Sequence, residues 1–119
     1  MTEKHFLGIP VEFPYQQPYQ AQVALMAKAM TGFKKQENAI LESPTGTGKS
    51  LALLSSSLAF QQYWKRTQSN PDPSLDVSKS EHPKHMKIWY TSRTHTQLAQ
   101  LVKELRKLKY IPSMAILAS

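Results

Sequence analysis

At positions 43–50 the chain reads Ser43-Pro44-Thr45-Gly46-Thr47-Gly48-Lys49-Ser50. A mostly apolar stretch, residues 38–41, precedes this loop, and a helical pattern follows it from Leu51 to Trp64. This order of strand, glycine-rich loop and helix is typical of a P-loop, which binds the phosphates of a nucleoside triphosphate. The strict pattern begins with glycine where this chain has Ser43, but the Gly-Lys-Ser end is intact.

The residues of this loop have different expected roles. Gly46 and Gly48 can adopt backbone angles that a side chain forbids. Their amides can then turn towards phosphate oxygens at the positive N-terminus of the next helix. Lys49 is expected to place its ammonium against the β- and γ-phosphates, and the Ser50 hydroxyl to bind Mg²⁺. We therefore predict all eight loop residues as nucleotide-binding and Lys49 and Ser50 as catalytic; the alternative is a glycine-rich turn with a solvated lysine.

The composition limits the class of protein. The chain has 119 residues, enough for one small domain with a modest core. It has no cysteine, which excludes disulfides and thiolate-held metals or clusters within these residues. No apolar run approaches the length of a membrane span, and residues 1–5 do not lead into a signal-peptide core. We expect an intracellular protein without membrane association.

The charge is strongly basic. The formal net charge is +7, which suits a polyanionic partner such as nucleic acid, although solubilising lysines are the alternative. Much of this charge is expected on one helix near the end of the chain, in Lys103, Arg106, Lys107 and Lys109.

The first half of the chain predicts helices around the loop. Residues 6–19, rich in proline and aromatic side chains, predict an extended leading segment. Residues 20–33 predict a helix with an apolar face formed by Val23, Met26, Met30 and Phe33. Residues 38–42 predict a buried strand, and residues 49–65 predict the helix that follows the loop. Leu51, Leu54, Leu58 and either Phe60 or Tyr63 are expected to face the sheet.

The second half begins with a polar, proline-rich stretch. Residues 67–85 predict an exposed, mobile insertion, whose histidines are too sparsely supported to indicate a metal site. Residues 87–91 and 114–117 predict two further buried strands. Between them, Thr94 and Gln97 predict a capping box that starts a helix. Its apolar stripe is Leu98, Leu101, Val102, Leu105 and Leu108.

Alternating helices and strands predict an α/β fold with a parallel sheet and helices on its faces. Three strands are few for such a sheet, which normally has both faces covered. The chain is therefore expected to be the opening part of a larger domain. Trp64 and Trp89 both lie in apolar patterns and are predicted in the core, with base stacking as the alternative.

Three ordered blocks carry a resemblance to a known family. They comprise Phe13-Pro14-Tyr15 with residues 22–26, residues 41–62, and residues 88–119 with Thr91-Ser92-Arg93-Thr94-His95. Together they resemble the start of an iron–sulphur DNA helicase of superfamily 2, the group typified by the xeroderma pigmentosum group D helicase. Within that family, residues 59–62 and 112–119 favour the Fanconi anaemia group J branch, with the telomere-elongation regulator branch close behind.

The resemblance implies a partial RecA-like motor domain, with residues 1–119 as the N-terminal part of the first ATP-binding domain. It implies an ATP-dependent DNA helicase, moving 5′ to 3′, that acts in DNA repair and genome maintenance in the nucleus. ATP and Mg²⁺ are the implied cofactors, and single-stranded DNA or DNA junctions the partners, with repair proteins as further candidates. A 4Fe–4S cluster is implied for the complete protein, but this chain has no ligands for it.

The resemblance also implies roles for individual residues. Gln22 would read adenine, because a side-chain amide both donates and accepts hydrogen bonds; the alternative is a polar residue on an exposed helix end. Ser92, Arg93, Thr94 and His95 would contact the backbone of single-stranded DNA. The alternative there is a capped helix with a solvated arginine.

Two other functions stay open from the sequence. A P-loop binding module or small-molecule kinase would share the loop without any DNA role. A third hypothesis is that these 119 residues have no activity alone, because the family's acidic box, arginine fingers and second motor domain lie elsewhere. The 119 residues by themselves are accordingly predicted to be inactive.

Overall fold

The computed structural model of the chain describes residues 2–44, 48–69 and 86–117. In chain order the elements are β1 (Thr2–Phe6), β2 (Ile9–Phe13), α1 (Gln20–Lys35), α2 (Lys49–Ser69) and α3 (His95–Leu105). The fold is mixed α/β, as predicted, but its sheet is a two-stranded antiparallel hairpin. The sequence had indicated only an extended segment at residues 6–19.

The hairpin turns tightly at Leu7 and Gly8. Their φ values are 53° and 79°, so both central residues are left-handed, as in the two-residue turns that match strand twist. The strands pair from Thr2 opposite Phe13 to Phe6 opposite Ile9. Every second residue of β2 is buried, so this strand presents one apolar face to the helices.

Helix α1 runs two residues beyond the predicted end. Gln36 caps it in the left-handed conformation with φ 58°, and the Glu37 amide donates to the Gly32 carbonyl over 2.9 Å. The chain therefore leaves the helix in a defined direction before the loop. Met26 and Met30, predicted for the apolar face, are fully buried.

Helix α2 is the centre of the fold, since it contacts α1, β2 and α3. The predicted helix after the loop is confirmed and extends to Ser69, which includes the first three residues of the predicted insertion. The predicted Leu51, Leu54, Leu58 and Phe60 are buried, but they pack against the hairpin and the other helices. The core comprises Ile9, Val11, Phe13, Leu25, Met26, Met30, Leu51, Ala52, Leu54, Leu58, Ala59, Phe60, Trp64, Leu105 and Leu108.

The three predicted strands are not formed in the residues that the structure describes. Ile40 is 100% exposed, Trp89 76% and Leu117 74%, so these segments are not buried either. The apolar faces of the helices pack on each other and on the hairpin. The predicted parallel sheet is therefore not found in the described residues, where the one sheet is the hairpin. Residues 70–85 of the predicted insertion lie outside the described residues.

The two tryptophans differ in burial: Trp64 is buried and Trp89 is exposed. Trp64 is 6% exposed and its ring centroid lies 6.4 Å from that of Phe60, which confirms the core prediction. The same prediction for Trp89 is wrong.

We expect Trp64→Ala to lower the free energy of unfolding by about 3–5 kcal/mol. Trp89→Ala, the matched control, should change it by less than about 0.5 kcal/mol. Urea unfolding measures both, and equal losses would contradict this core.

Candidate functional site

The described part of the glycine-rich loop lies at the N-terminus of α2. The Gly48 carbonyl accepts the first helical hydrogen bond, from the Ala52 amide over 3.2 Å. Lys49 is exposed, and its Nζ donates to the Ser43 carbonyl over 2.9 Å, which closes the loop across its base. Ser50 follows in the first turn of the helix. Thr45, Gly46 and Thr47 lie outside the described residues, so their predicted phosphate contacts stay predictions.

Gln22 is buried beside this loop. It is 5% exposed, its Nε2 donates to the Gly48 carbonyl over 3.1 Å, and its Oε1 accepts from the Tyr19 amide over 2.9 Å. The alternative of an exposed helix end is therefore wrong. One amide hydrogen and one lone pair of Gln22 are left by these two bonds. Gln22 thus joins the start of α1 to the loop, which is 26 residues away in sequence.

Gly48 has no room for a side chain. Its φ is 72°, a left-handed conformation that costs little only for glycine. A Cβ at this position would overlap the Gln22 amide nitrogen and lie 3.1 Å from its amide carbon. The backbone angle therefore favours glycine here, and a side chain would in addition have to displace the Gln22 amide.

A cavity of about 550 Å³ opens beside Gln22 and the loop. This volume lies within the range of small-molecule sites. Its walls come from the segment before α1, from the start of α2 and from the end of α3. The lining residues are Tyr15, Gln17, Tyr19, Gln22, Gly48, Lys49, Ser50, Leu51, Gln100, Glu104 and Lys107. Four predicted site residues, Gln22, Gly48, Lys49 and Ser50, are thereby brought to one cavity.

Lys107, which follows α3, contacts two other residues that line the cavity. Its Nζ donates to the Tyr15 hydroxyl over 3.0 Å and to a Glu104 carboxylate oxygen over 3.2 Å. The hydrogen bond to Tyr15, followed by that to Glu104, raises the pKa of the Lys107 ammonium. These bonds favour the charged ammonium, so the stability that they contribute is present below the ordinary lysine pKa and is lost as the pH rises through the raised pKa.

Sequence reasoning assigned no role to Tyr15, Gln17, Tyr19, Gln100, Glu104 or Lys107 at this cavity. Tyr15 was part of the block that carries the resemblance, but nothing in its spacing placed it beside α3. Ninety-two residues separate Tyr15 from Lys107. Only tertiary structure brings such distant segments together.

The residues predicted to contact DNA lie at the start of α3, and none of them lines the cavity. The Thr94 hydroxyl accepts from the Gln97 amide over 3.2 Å, which confirms the predicted cap. The Gln97 side chain does not complete the capping box, because its Oε1 accepts from the Ser92 hydroxyl over 2.7 Å. Arg93 and His95 are exposed.

The four basic residues near the end of the chain were predicted on one helix, but the structure does not place all of them there. Only Lys103 lies within α3; Arg106 caps its C-terminus, and the others follow it. Besides Lys107, Lys109 is also paired, with its Nζ 3.9 Å from a Glu12 carboxylate oxygen. Part of the predicted positive surface is therefore neutralised locally.

Within residues 2–44, 48–69 and 86–117, no group of three or more histidine, cysteine, aspartate or glutamate side chains could hold a metal ion. In the same residues, none of the helices has the length and apolar character required to cross a bilayer.

Sequence comparison finds helicase relatives. The chain is 36% identical over 93% of its length to the regulator of telomere elongation helicase 1 homolog of Anopheles gambiae. It is 38% identical over 94% to the regulator of telomere elongation helicase 1 of Mus musculus, and 36% identical over 94% to the Arabidopsis thaliana homolog. The chain spans 11 to 14% of the length of these three relatives. Neither a protein-family model nor a solved structure matches it.

The homologues of this chain are thus helicases named as regulators of telomere elongation. The predicted resemblance to a DNA helicase is supported at that level. The finer prediction, that residues 59–62 and 112–119 favour the Fanconi anaemia group J branch, is not confirmed by these relatives.

Proposed function

We propose that this chain, whose homologues are helicases named as regulators of telomere elongation, is an ATP-binding part of an ATP-dependent DNA helicase. The observation that carries the proposal is that Gln22, Gly48, Lys49 and Ser50 line the same cavity. The sequence pattern and the family resemblance both assign these residues to nucleotide binding. Gly48, Lys49 and Ser50 are adjacent in sequence, but Gln22 lies 26 residues from Gly48, so its approach to the same cavity is not required by sequence spacing.

The described donors fit a nucleotide with bound magnesium. The α2 N-terminus and the Lys49 ammonium favour phosphate oxygens, and the Ser50 hydroxyl is a hard ligand suited to Mg²⁺. Mg²⁺ would neutralise charge that develops on the phosphates. Lys49 would exchange the Ser43 carbonyl for phosphate, which replaces a neutral acceptor with a charged one. The remaining amide hydrogen and lone pair of Gln22 would pair with the adenine edge.

DNA contact is proposed at the start of α3. Ser92, Arg93, Thr94 and His95 combine hydroxyls, a guanidinium and a helix N-terminus, groups that bind nucleic-acid phosphates. We propose 5′ to 3′ movement on single-stranded DNA or junctions, a repair role and a nuclear location from the resemblance alone. The cysteine ligands of an iron–sulphur cluster would belong to residues outside this chain, which has no cysteine.

ATP hydrolysis stimulated by single-stranded DNA tests the proposal in the full-length protein. Arg93→Ala is expected to lower apparent DNA affinity about threefold to tenfold, since a phosphate contact is lost, while hydrolysis without DNA stays unchanged. Lys28→Ala, which removes an exposed charge from α1, is the control and should leave DNA affinity unchanged. Hydrolysis that DNA does not stimulate would favour the P-loop module. Unwinding by the 119 residues alone would contradict their predicted inactivity.

A further inference from the structure

The end of α3 contributes a carboxylate, that of Glu104, to the wall of the cavity. Its side chain is 17% exposed. Its Oε1 accepts hydrogen bonds from Gln100 Nε2 over 3.1 Å and from Lys107 Nζ over 3.2 Å. Lys107 Nζ in turn donates to the Tyr15 hydroxyl, outside α3. These contacts fix the Glu104 carboxylate in position before any ligand binds.

Both bonds to Glu104 end on Oε1, so Oε2 is left as an acceptor. Within residues 2–44, 48–69 and 86–117, no hydrogen bond to Oε2 is found. The Lys107 ammonium beside Oε1 offsets the negative charge of the carboxylate, which lowers its repulsion of a polyphosphate in the same cavity. Glu104 can therefore accept a hydrogen bond from a ligand that also carries phosphates.

The chemistry of a nucleotide limits what Oε2 could bind. An ionised carboxylate only accepts hydrogen bonds, so its partner must be a donor. Apart from the amino group of the base, the donors of ATP are its ribose hydroxyls. The amino group would pair with the remaining lone pair of Gln22, which leaves the hydroxyls for Glu104. Acidic side chains bind ribose hydroxyls in dinucleotide sites in the same way.

We propose that Glu104 binds the ribose hydroxyls of the nucleotide and makes the site selective for ribonucleotides. The proposal rests on the proposed nucleotide-binding function. The sugar joins the base, near Gln22, to the phosphates, near the loop, and the wall from α3 is the part of the cavity that neither of them occupies. Gln100 and Lys107 are positioning residues, since they act through Glu104. A nucleotide without these hydroxyls would leave the carboxylate unpaired, which costs affinity.

Binding of three ligands to the full-length protein tests the ribose contact. ATP and 2′,3′-dideoxy-ATP differ only in the ribose hydroxyls, whereas inorganic tripolyphosphate carries the phosphates alone. The unmodified protein is expected to bind ATP about tenfold more tightly than the dideoxy nucleotide. Glu104→Gln should reduce this preference to about threefold, because a neutral amide makes a weaker bond, and Glu104→Ala should reduce it to within about twofold. Tripolyphosphate binding should change by less than about twofold in both variants.

Glu12→Gln is the matched control, because Glu12 is paired with Lys109 and does not line this cavity. It should keep the full preference for ATP. The ratio of the two nucleotide affinities is measured within each variant, so a loss of folded protein would not imitate the expected result. Equal binding of both nucleotides by the unmodified protein, or a preference that survives Glu104→Ala, would overturn the ribose contact alone. If Lys49→Ala leaves ATP and tripolyphosphate binding unchanged, the phosphate site fails, and with it the proposed function.

Discussion

Lys49→Ala is expected to abolish ATP hydrolysis in the full-length protein, by at least about 100-fold, while the fold stays intact. Lys49 is exposed, and the contact described for it is with the Ser43 carbonyl, so its loss removes nothing from the core. Phosphate binding should lose about 1.5–3 kcal/mol, the value of a charge-assisted contact. Turnover should lose more, because the same ammonium would stabilise the phosphoryl group during transfer.

Two further variants sharpen this prediction. Lys49→Arg should also abolish ATP hydrolysis, because a planar guanidinium does not replace a compact ammonium in a tight loop. Lys109→Ala removes another exposed lysine, which is paired with Glu12 and does not line the cavity, and should keep normal turnover. Steady-state hydrolysis and thermal unfolding are measured on each variant. Near-normal hydrolysis by Lys49→Ala with normal folding would show that residues 43–50 are not a P-loop.

The helices could be predicted from the sequence because their signals are local. Helix α2 follows a glycine-rich loop, and α3 begins at a threonine whose hydroxyl caps the first turn. The strands could not be predicted in this way. Ile40 and Trp89 lie in apolar runs, but a strand also needs partners in a ladder, and in the described residues these segments have none. The hairpin was not predicted because Leu7 occupies a left-handed turn position where asparagine or glycine is usual.

Some residues of the candidate site could likewise be predicted from local sequence, whereas others are placed there only by the fold. Gly48, Lys49 and Ser50 are adjacent in sequence, so their pattern alone indicated phosphate chemistry. Gln22 was indicated by family resemblance, and its burial against Gly48 appears only in the fold. The contact between Tyr15 and Lys107 joins segments 92 residues apart and depends on how α3 packs on α2. Local spacing in the sequence cannot predict a contact between segments so far apart.

Gly48→Ala is expected to weaken ATP binding by more than tenfold and to destabilise the chain, for two separable reasons. A left-handed alanine costs about 1–2 kcal/mol in backbone energy. The new Cβ would also displace the buried Gln22 amide. This displacement breaks the Gln22 bonds to Gly48 and Tyr19, each worth about 0.5–1.5 kcal/mol. The free energy of unfolding and the ATP dissociation constant are the quantities to measure.

Gly8→Ala separates the two contributions, because Gly8 has the similar φ of 79° but no atom within 4 Å of a built Cβ. It should show the backbone cost alone and normal ATP affinity. A double-mutant cycle of Gly48→Ala with Gln22→Ala should be non-additive by about 1 kcal/mol, since the clash is absent once the amide has been removed. Strict additivity, with equal destabilisation by Gly8→Ala and Gly48→Ala, would mean that Gln22 does not confine the loop. In that case the phosphate end of the cavity would be shaped by backbone conformation alone.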